Sequence, residues 1–211
     1  MPFFHAADGT KLYYEESGTG IPVLALSGLT RNTRDFDHVA PHLPVRLIRM
    51  DYRGRGESEW ADYKTYNIPQ EAADALALLD HLGLEQAAIL GTSRGGLIAM
   101  LLAATAKDRL LGVVLNDIGP EIDPKGMAVI ANYIGKNPVE DNHEDAAQAR
   151  ARNWVHFKGV PHARWLAEVR AHYAQTADGL VVRYDPKLRD AVLEGLEQPT
   201  PDLWPLYDAL G

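Results

Sequence analysis

Gly91-Thr92-Ser93-Arg94-Gly95, followed directly by Gly96, lies between a short apolar run at 87–90 and a small, apolar, helix-like stretch at 95–106. In that setting G-x-S-x-G is the sequence form of a nucleophile elbow, a sharp strand-to-helix turn that lifts a serine hydroxyl clear of the backbone. The outer glycines leave room where the turn brings strand and helix backbones together, and the serine itself takes strained dihedrals. The helix start aims the Arg94 N–H and the positive end of the helix dipole at a developing oxyanion. The competing reading is an ordinary strand–helix turn that contains a serine. The flanking patterns and Gly96 favour the elbow, with Ser93 as the candidate nucleophile and Arg94 as a candidate oxyanion donor.

Working outward, three more short runs are largely apolar without strict alternation: 23–26, ended by Ser27-Gly28; 45–50, which carries Arg46 and Arg49 and is ended by Asp51; and 110–115, ended by Asn116-Asp117. Such runs suit strands buried on both faces of a parallel sheet. Residues 3–6 and 11–15 flank Asp8-Gly9, a hairpin signal. Over 70–82, Ala72, Leu76, Leu79 and Leu82 fall on one helical face, with Asn67 placed to cap the start and Gly83 to end it at C′. Strand–helix alternation predicts an α/β architecture with right-handed crossovers and helices on both faces of a mostly parallel sheet. The texture changes after Gly119. Apart from a weak strand at 180–183, the spacing predicts helices at 125–134, 140–157, 162–175, 186–196 and 201–210, a helical excursion laid over the sheet. There is no internal repeat and no low-complexity tract.

Two other segments bear on chemistry. An oxyanion hole needs a second N–H from a loop beside the elbow, and Leu26-Ser27-Gly28-Leu29 at the end of the first buried run offers that of Leu29. The alternative is a plain strand–helix turn. Phe36 is expected to pack under this loop. Asp51-Tyr52-Arg53-Gly54-Arg55-Gly56-Glu57-Ser58 is basic and glycine-rich, but it lacks the spacing of either common phosphate loop. A tight structural loop held by Asp51 and the arginines is the favoured reading. The Arg94 side chain either meets an anionic substrate or pairs with a surface acid, and the second is favoured because single surface arginines seldom carry function.

The 211 residues suffice for one sizeable domain, or a core with an excursion; hydrophobic content is 46% and charged content 24%, ordinary globular usage. A net charge of −8 argues against nucleic acid and anionic membrane as partners. Without cysteine, neither disulfides nor thiolate metal sites form. The opening residues have no basic n-region and no long apolar segment, and no run approaches the ~18 residues of a spanning helix. A soluble, cytoplasmic protein without metal or organic cofactor is expected.

In the same order along the chain, the Asp8-Gly9 hairpin, the Ser27-Gly28 loop, the 51–58 loop and the elbow resemble the α/β-hydrolase superfamily, most of all its serine-nucleophile esterase, lactonase and C–C hydrolase branch. Family members commonly have His-Gly where this chain has Ser27-Gly28, and dehalogenases and epoxide hydrolases carry Asp at the elbow, which Ser93 argues against. The resemblance implies a core at 1–119, a helical cap at 120–205 entered through Asn116-Asp117-Ile118-Gly119-Pro120, and a connection back to the core starting at 206–211. It also implies a triad in the order serine, acid, histidine. Asp117 is the in-chain candidate for the acid; otherwise it is a structural aspartate at the cap entry and the acid lies beyond Gly211. His5 and His81 are expected at the surface, His38 and His42 on a helix after the oxyanion loop, and His143, His156, His162 and His172 in the cap. None occupies the expected place of the triad histidine. The expectation is therefore a C-terminally truncated hydrolase, lacking about two strands and their helices, on the order of 60–70 residues by ordinary element lengths. The implied function is acyl-enzyme hydrolysis of a small ester or lactone, with little activity in these 211 residues alone. Trp154, Trp165, Tyr133 and Tyr173 enclose the substrate or, more simply, pack within the cap. The alternatives are a non-catalytic fragment that binds small apolar ligands or pairs through an open sheet edge, including as a homo-oligomer, and a C–C hydrolase or cofactor-free perhydrolase on the same scaffold.

Overall fold

The computed structural model describes residues 2–199 and 201–211. Six strands form one sheet: β1 (Phe3–His5), β2 (Lys11–Ser17), β3 (Pro22–Leu26), β4 (Arg46–Met50), β5 (Ala87–Thr92) and β6 (Leu110–Asn116). Their order is β1-β2-β4-β3-β5-β6. β1 and β2 pair antiparallel around the Asp8-Gly9 turn, where Gly9 takes φ 87. β2 runs antiparallel to β4, and β4, β3, β5 and β6 are mutually parallel. β3 and β4 are buried on both faces, as a central parallel strand requires, and β5 is buried on one face and half-buried on the other; β6, expected from its sequence to be buried likewise, has no buried residue, because it lies at the sheet's edge among the described residues.

Two layers form around that sheet. Leu24, Leu26, Ile48, Met50 and Ile89 point to one face, where they pack with Ala72, Ala75, Leu78 and Leu79 of α1 (Ile68–His81) and Ile98, Ala99 and Leu102 of α2 (Arg94–Thr105). Asn67 caps α1 by accepting from Gln70 N at 2.9 Å, and Gly83 ends it at φ 66. Ala25 and Leu47 point to the opposite face and are covered by Phe36 with Val39, Ala40 and Leu43. Those residues belong to two 3-10 turns, Thr33–Phe36 and Ala40–His42, and the stretch between. The structure therefore corrects the helix expected around His38 and His42: with Pro41 inside it, the segment makes only short turns.

Beyond Gly119 lie α3 (Pro124–Tyr133), α4 (His143–Asn153), α5 (His162–His172) and α6 (Leu188–Leu196). α5 does not run on to residue 175 as expected. It stops at His172 and the chain continues as β7 (Tyr173–Thr176), which forms an antiparallel hairpin with β8 (Gly179–Val182). This segment docks on the loops at the C-terminal ends of β3 and β4. Asn32 Nδ2 donates to Ala171 O at 2.7 Å, Gly56 N to Arg183 O at 2.8 Å, and Asp185 N to Gly54 O at 2.8 Å. A short α7 (Trp204–Asp208) returns to pack on α2. The rest of the helix expected at 201–210 is irregular, and residue 200 lies outside the described residues.

Candidate active site

Ser93 stands between β5 and α2 with φ 50 and ψ −111, one of two described non-glycine residues at positive φ. Three backbone bonds over-determine that bend: Ser93 N donates to Asn116 O at 2.9 Å, Gly96 N to Ser93 O at 2.9 Å, and Gly95 N to Ser27 O at 3.1 Å. The flanking glycines are needed for close approach. A Cβ on Gly91 would lie 2.6 Å from Gly95 O, and one on Gly95 would strike the carbonyl of Leu26.

The Ser27-Gly28 loop lies directly beside the elbow, so close that a Cβ on Gly28 would sit 3.9 Å from Ser93 Cβ. Arg31 N donates to Gly28 O at 3.1 Å, closing a tight turn with Leu29 and Thr30 at its centre. The central positions of such a turn leave their N–H groups unused. Among the described residues, neither Leu29 N nor Arg94 N donates a hydrogen bond. The structure thus brings together Ser93 and two unbonded amides, one of them at the N-terminus of α2. Ser93 Oγ likewise has no hydrogen-bond partner among the described residues.

Asp117, the candidate acid, follows β6 at φ 56 and is exposed. It adjoins Asn116, which pairs with Thr92 in the sheet, so Asp117 is a near neighbour of the elbow. The histidines are dispersed. His5, His38, His42 and His156 are exposed, and His81 packs on Phe4 and Tyr14. His143 Nε2 donates to Tyr173 O at 3.0 Å, and His162 faces Glu144. Buried His172 bonds Glu168 O through Nδ1 at 2.7 Å. Burial, with Arg31 and Arg150 close by, holds His172 below the ordinary imidazole range. Of the aromatics expected to enclose substrate, Trp165 is buried against Trp154 and Phe157, whereas Tyr133 is half exposed.

The basic loop is structural. Asp51 accepts from Thr33 N at 2.6 Å and Glu57 N at 2.8 Å. Arg53, fully buried, makes two bonds to Asp74 at 2.8 and 2.7 Å and a third to Asp8 at 2.8 Å. Arg94 does pair with an acid, but the acid is Glu71 of α1, which is fully buried rather than at the surface. The same carboxylate faces buried Arg55 at 2.9 Å. Burial lowers the pKa of Arg55. Sequence reasoning missed Glu71 and Asp74, although a signal was available: both acids lie on the inner face of α1, among its apolar positions, and buried charges occur paired. The arginines of the 51–58 loop are the partners such acids require.

Comparison with known proteins bears on the family and the fold. A sequence model of the alpha/beta hydrolase fold matches residues 21–159. The 3-hydroxybutyrate-oligomer hydrolase of Cupriavidus necator is 34% identical over 194 residues, covering 87% of this chain and 66% of its own length. The non-heme haloperoxidase of Rhodococcus erythropolis is 32% identical over 139 residues, covering 61% of this chain and 50% of its own. A solved alpha/beta hydrolase from Novosphingobium aromaticivorans superposes with a TM-score of 0.87 at 35% identity, over 99% of this chain and 76% of that one. The chain spans 66% of the first curated relative's length and 50% of the second's. With a family model matching more than half of the chain and a solved alpha/beta hydrolase superposing over nearly all of it, the chain belongs to the alpha/beta hydrolase fold family.

Proposed function

We propose that the protein carrying this chain is a serine hydrolase that cleaves a small ester or lactone through an acyl-enzyme on Ser93. The observation that carries the reading is the backbone at Ser93, held at φ 50 and ψ −111 beside two unbonded amides. A non-glycine residue persists in such a conformation where its surroundings over-determine it, and such strain clusters at functional sites. In the proposed reaction Ser93 Oγ adds to the carbonyl carbon while the amides of Leu29 and Arg94 hold the oxyanion, each such donor contributing about 2.7–4 kcal/mol to the transition state. A histidine takes the serine proton and passes it to the departing alcohol; water then repeats the sequence to release the acid.

No histidine ring nitrogen bonds Ser93 among the described residues, so the proposed base is a histidine outside residues 1–211. The acid that orients it is Asp117 or a residue outside the same range. Residues 1–119 are read as the core, 120–205 as a cap over the site, and 206–211 as the start of the connection back. The 3-hydroxybutyrate-oligomer hydrolase relative supports an ester of a short hydroxy acid as the substrate class.

Ser93→Ala in the full-length protein is expected to abolish p-nitrophenyl acetate hydrolysis; unchanged turnover in a folded variant would refute the assignment. The 211-residue chain alone is expected to release no burst of p-nitrophenol. A rapid stoichiometric burst would put the base within these residues.

A further inference from the structure

Both amides read as oxyanion donors are tied to one buried carboxylate. Glu71 Oε2 accepts from Arg94 Nε, and Arg94 Nη2 also donates to Tyr66 O at 2.9 Å, so the residue bearing one amide is held from its side chain. Glu71 Oε1 lies 2.9 Å from Arg55 Nη1. Arg55 in turn donates from Nε to Leu29 O at 3.1 Å and from Nη1 to Arg53 O at 2.7 Å. Its guanidinium stands over the rings of Tyr52 and Tyr66, 5.6 and 5.2 Å from their centroids. A continuous path therefore runs from the residue of the Arg94 amide, through Glu71 and Arg55, to the residue of the Leu29 amide.

Stability alone is a poor reason for this arrangement. Glu71 and Arg55 are fully buried, and Arg55 Nη2 and Glu71 Oε1 have no aligned hydrogen bond. Desolvating each ion costs several kcal/mol, and an apolar replacement of similar volume is often as stable. Two guanidinium groups against one carboxylate also leave excess positive charge next to the elbow, which favours an oxyanion there.

We propose that Glu71 is a positioning residue: by clamping Arg94 and Arg55 it sets the spacing and direction of the Arg94 and Leu29 amides. The proposal rests on the Ser93 reading above. It predicts that Glu71→Gln in the full-length protein lowers kcat for p-nitrophenyl acetate about 10- to 100-fold, as small misplacements at a reacting centre do, with KM held within about twofold. Rates are referred to sites titrated by a fluorophosphonate, which removes unfolded protein from the comparison. Arg94→Met is expected to give a similar loss, and the double variant to lose little more than either single one, since both act through one link.

An unchanged kcat per titrated site, with only the melting temperature lowered, overturns the role of Glu71 and leaves that of Ser93 standing. Turnover that survives Ser93→Ala overturns both. If Glu71→Gln does not fold, Arg94→Met removes only the outer partner: a kcat loss at constant KM supports the proposal, and full activity sinks it.

Discussion

At Ser93 the chain holds a serine where glycine is the easier choice. The conformation at φ 50 and ψ −111 costs on the order of 1–3 kcal/mol for a residue with a Cβ. Glycine would relieve that cost and lose about 0.5–1 kcal/mol to its greater freedom in the unfolded chain. Ser93→Gly is therefore expected to raise stability by about 1 kcal/mol, or about 2–4 °C in melting temperature for a domain of this size, while turnover disappears. Calorimetry of the two proteins checks this, and a lower melting temperature for the glycine variant would mean that no strain is stored there. This site was legible because its determinants are local: two glycines and a serine within five positions state which backbones approach and which side chain stands clear. Glu71 was not legible in the same way, because its partners Arg55 and Arg94 lie in a loop and a helix that only the folded chain brings to α1.

Among the elements, the strands of the main sheet and α1 announced themselves, and so did β8, expected at 180–183; β7 and the hairpin it forms with β8 did not. No glycine or proline occurs from His162 to Asp178, so the helical pattern of α5 runs on past His172 without a visible stop. The usable signal lay further along: Asp178-Gly179 is the same dipeptide type that marks the β1–β2 turn, and Gly179 takes φ 113. Two elements carry testable charge chemistry. Arg53 in the 51–58 loop and Asp74 in α1 are both buried, so Arg53→Met leaves a buried carboxylate without its main partner; a loss of about 3–5 kcal/mol is expected in urea unfolding. The α5 site is pH-sensitive. His172 faces Glu168 on its own helix, Arg150 and the ring of Tyr173, with Arg31 reaching in from the Leu29 turn. Its folded-state pKa is lowered from 6.5, first by burial and then by Arg31 and Arg150. A depressed imidazole pKa means that the unfolded chain binds the proton more readily, so the stability it contributes is complete above about 6.5 and falls away as pH drops below that value. Melting temperature is expected to decline as pH falls from 7 towards 5, and His172→Gln to flatten that part of the profile. A parallel decline in the variant would assign the loss to other groups.

For the whole molecule, alternation of apolar runs with helical patterns was enough to predict a parallel sheet with a helical segment following it, although the burial expected on both faces holds for β3 and β4 and not for β6. Strand order and docking were not legible, since they depend on long-range bonds such as Asn32 to Ala171 and Gly56 to Arg183. The sheet's last described strand has a physical consequence. β6 pairs with β5 on one side and with no other strand among the described residues. Leu110, Val113 and Leu115 turn to the core, while Leu111 and Val114 are 52% and 61% exposed. An unpaired parallel edge carrying apolar side chains and no charge is a template for further strand pairing. The 211-residue chain is therefore expected to associate in a concentration-dependent way, seen as a rising weight-average mass in sedimentation. Val114→Lys places a charge on that edge without touching the core side of β6, and it is expected to shift the chain towards monomer at equal concentration. A wild-type chain that stays monomeric at all concentrations, or a lysine variant that associates equally, would locate the contact elsewhere or remove it altogether.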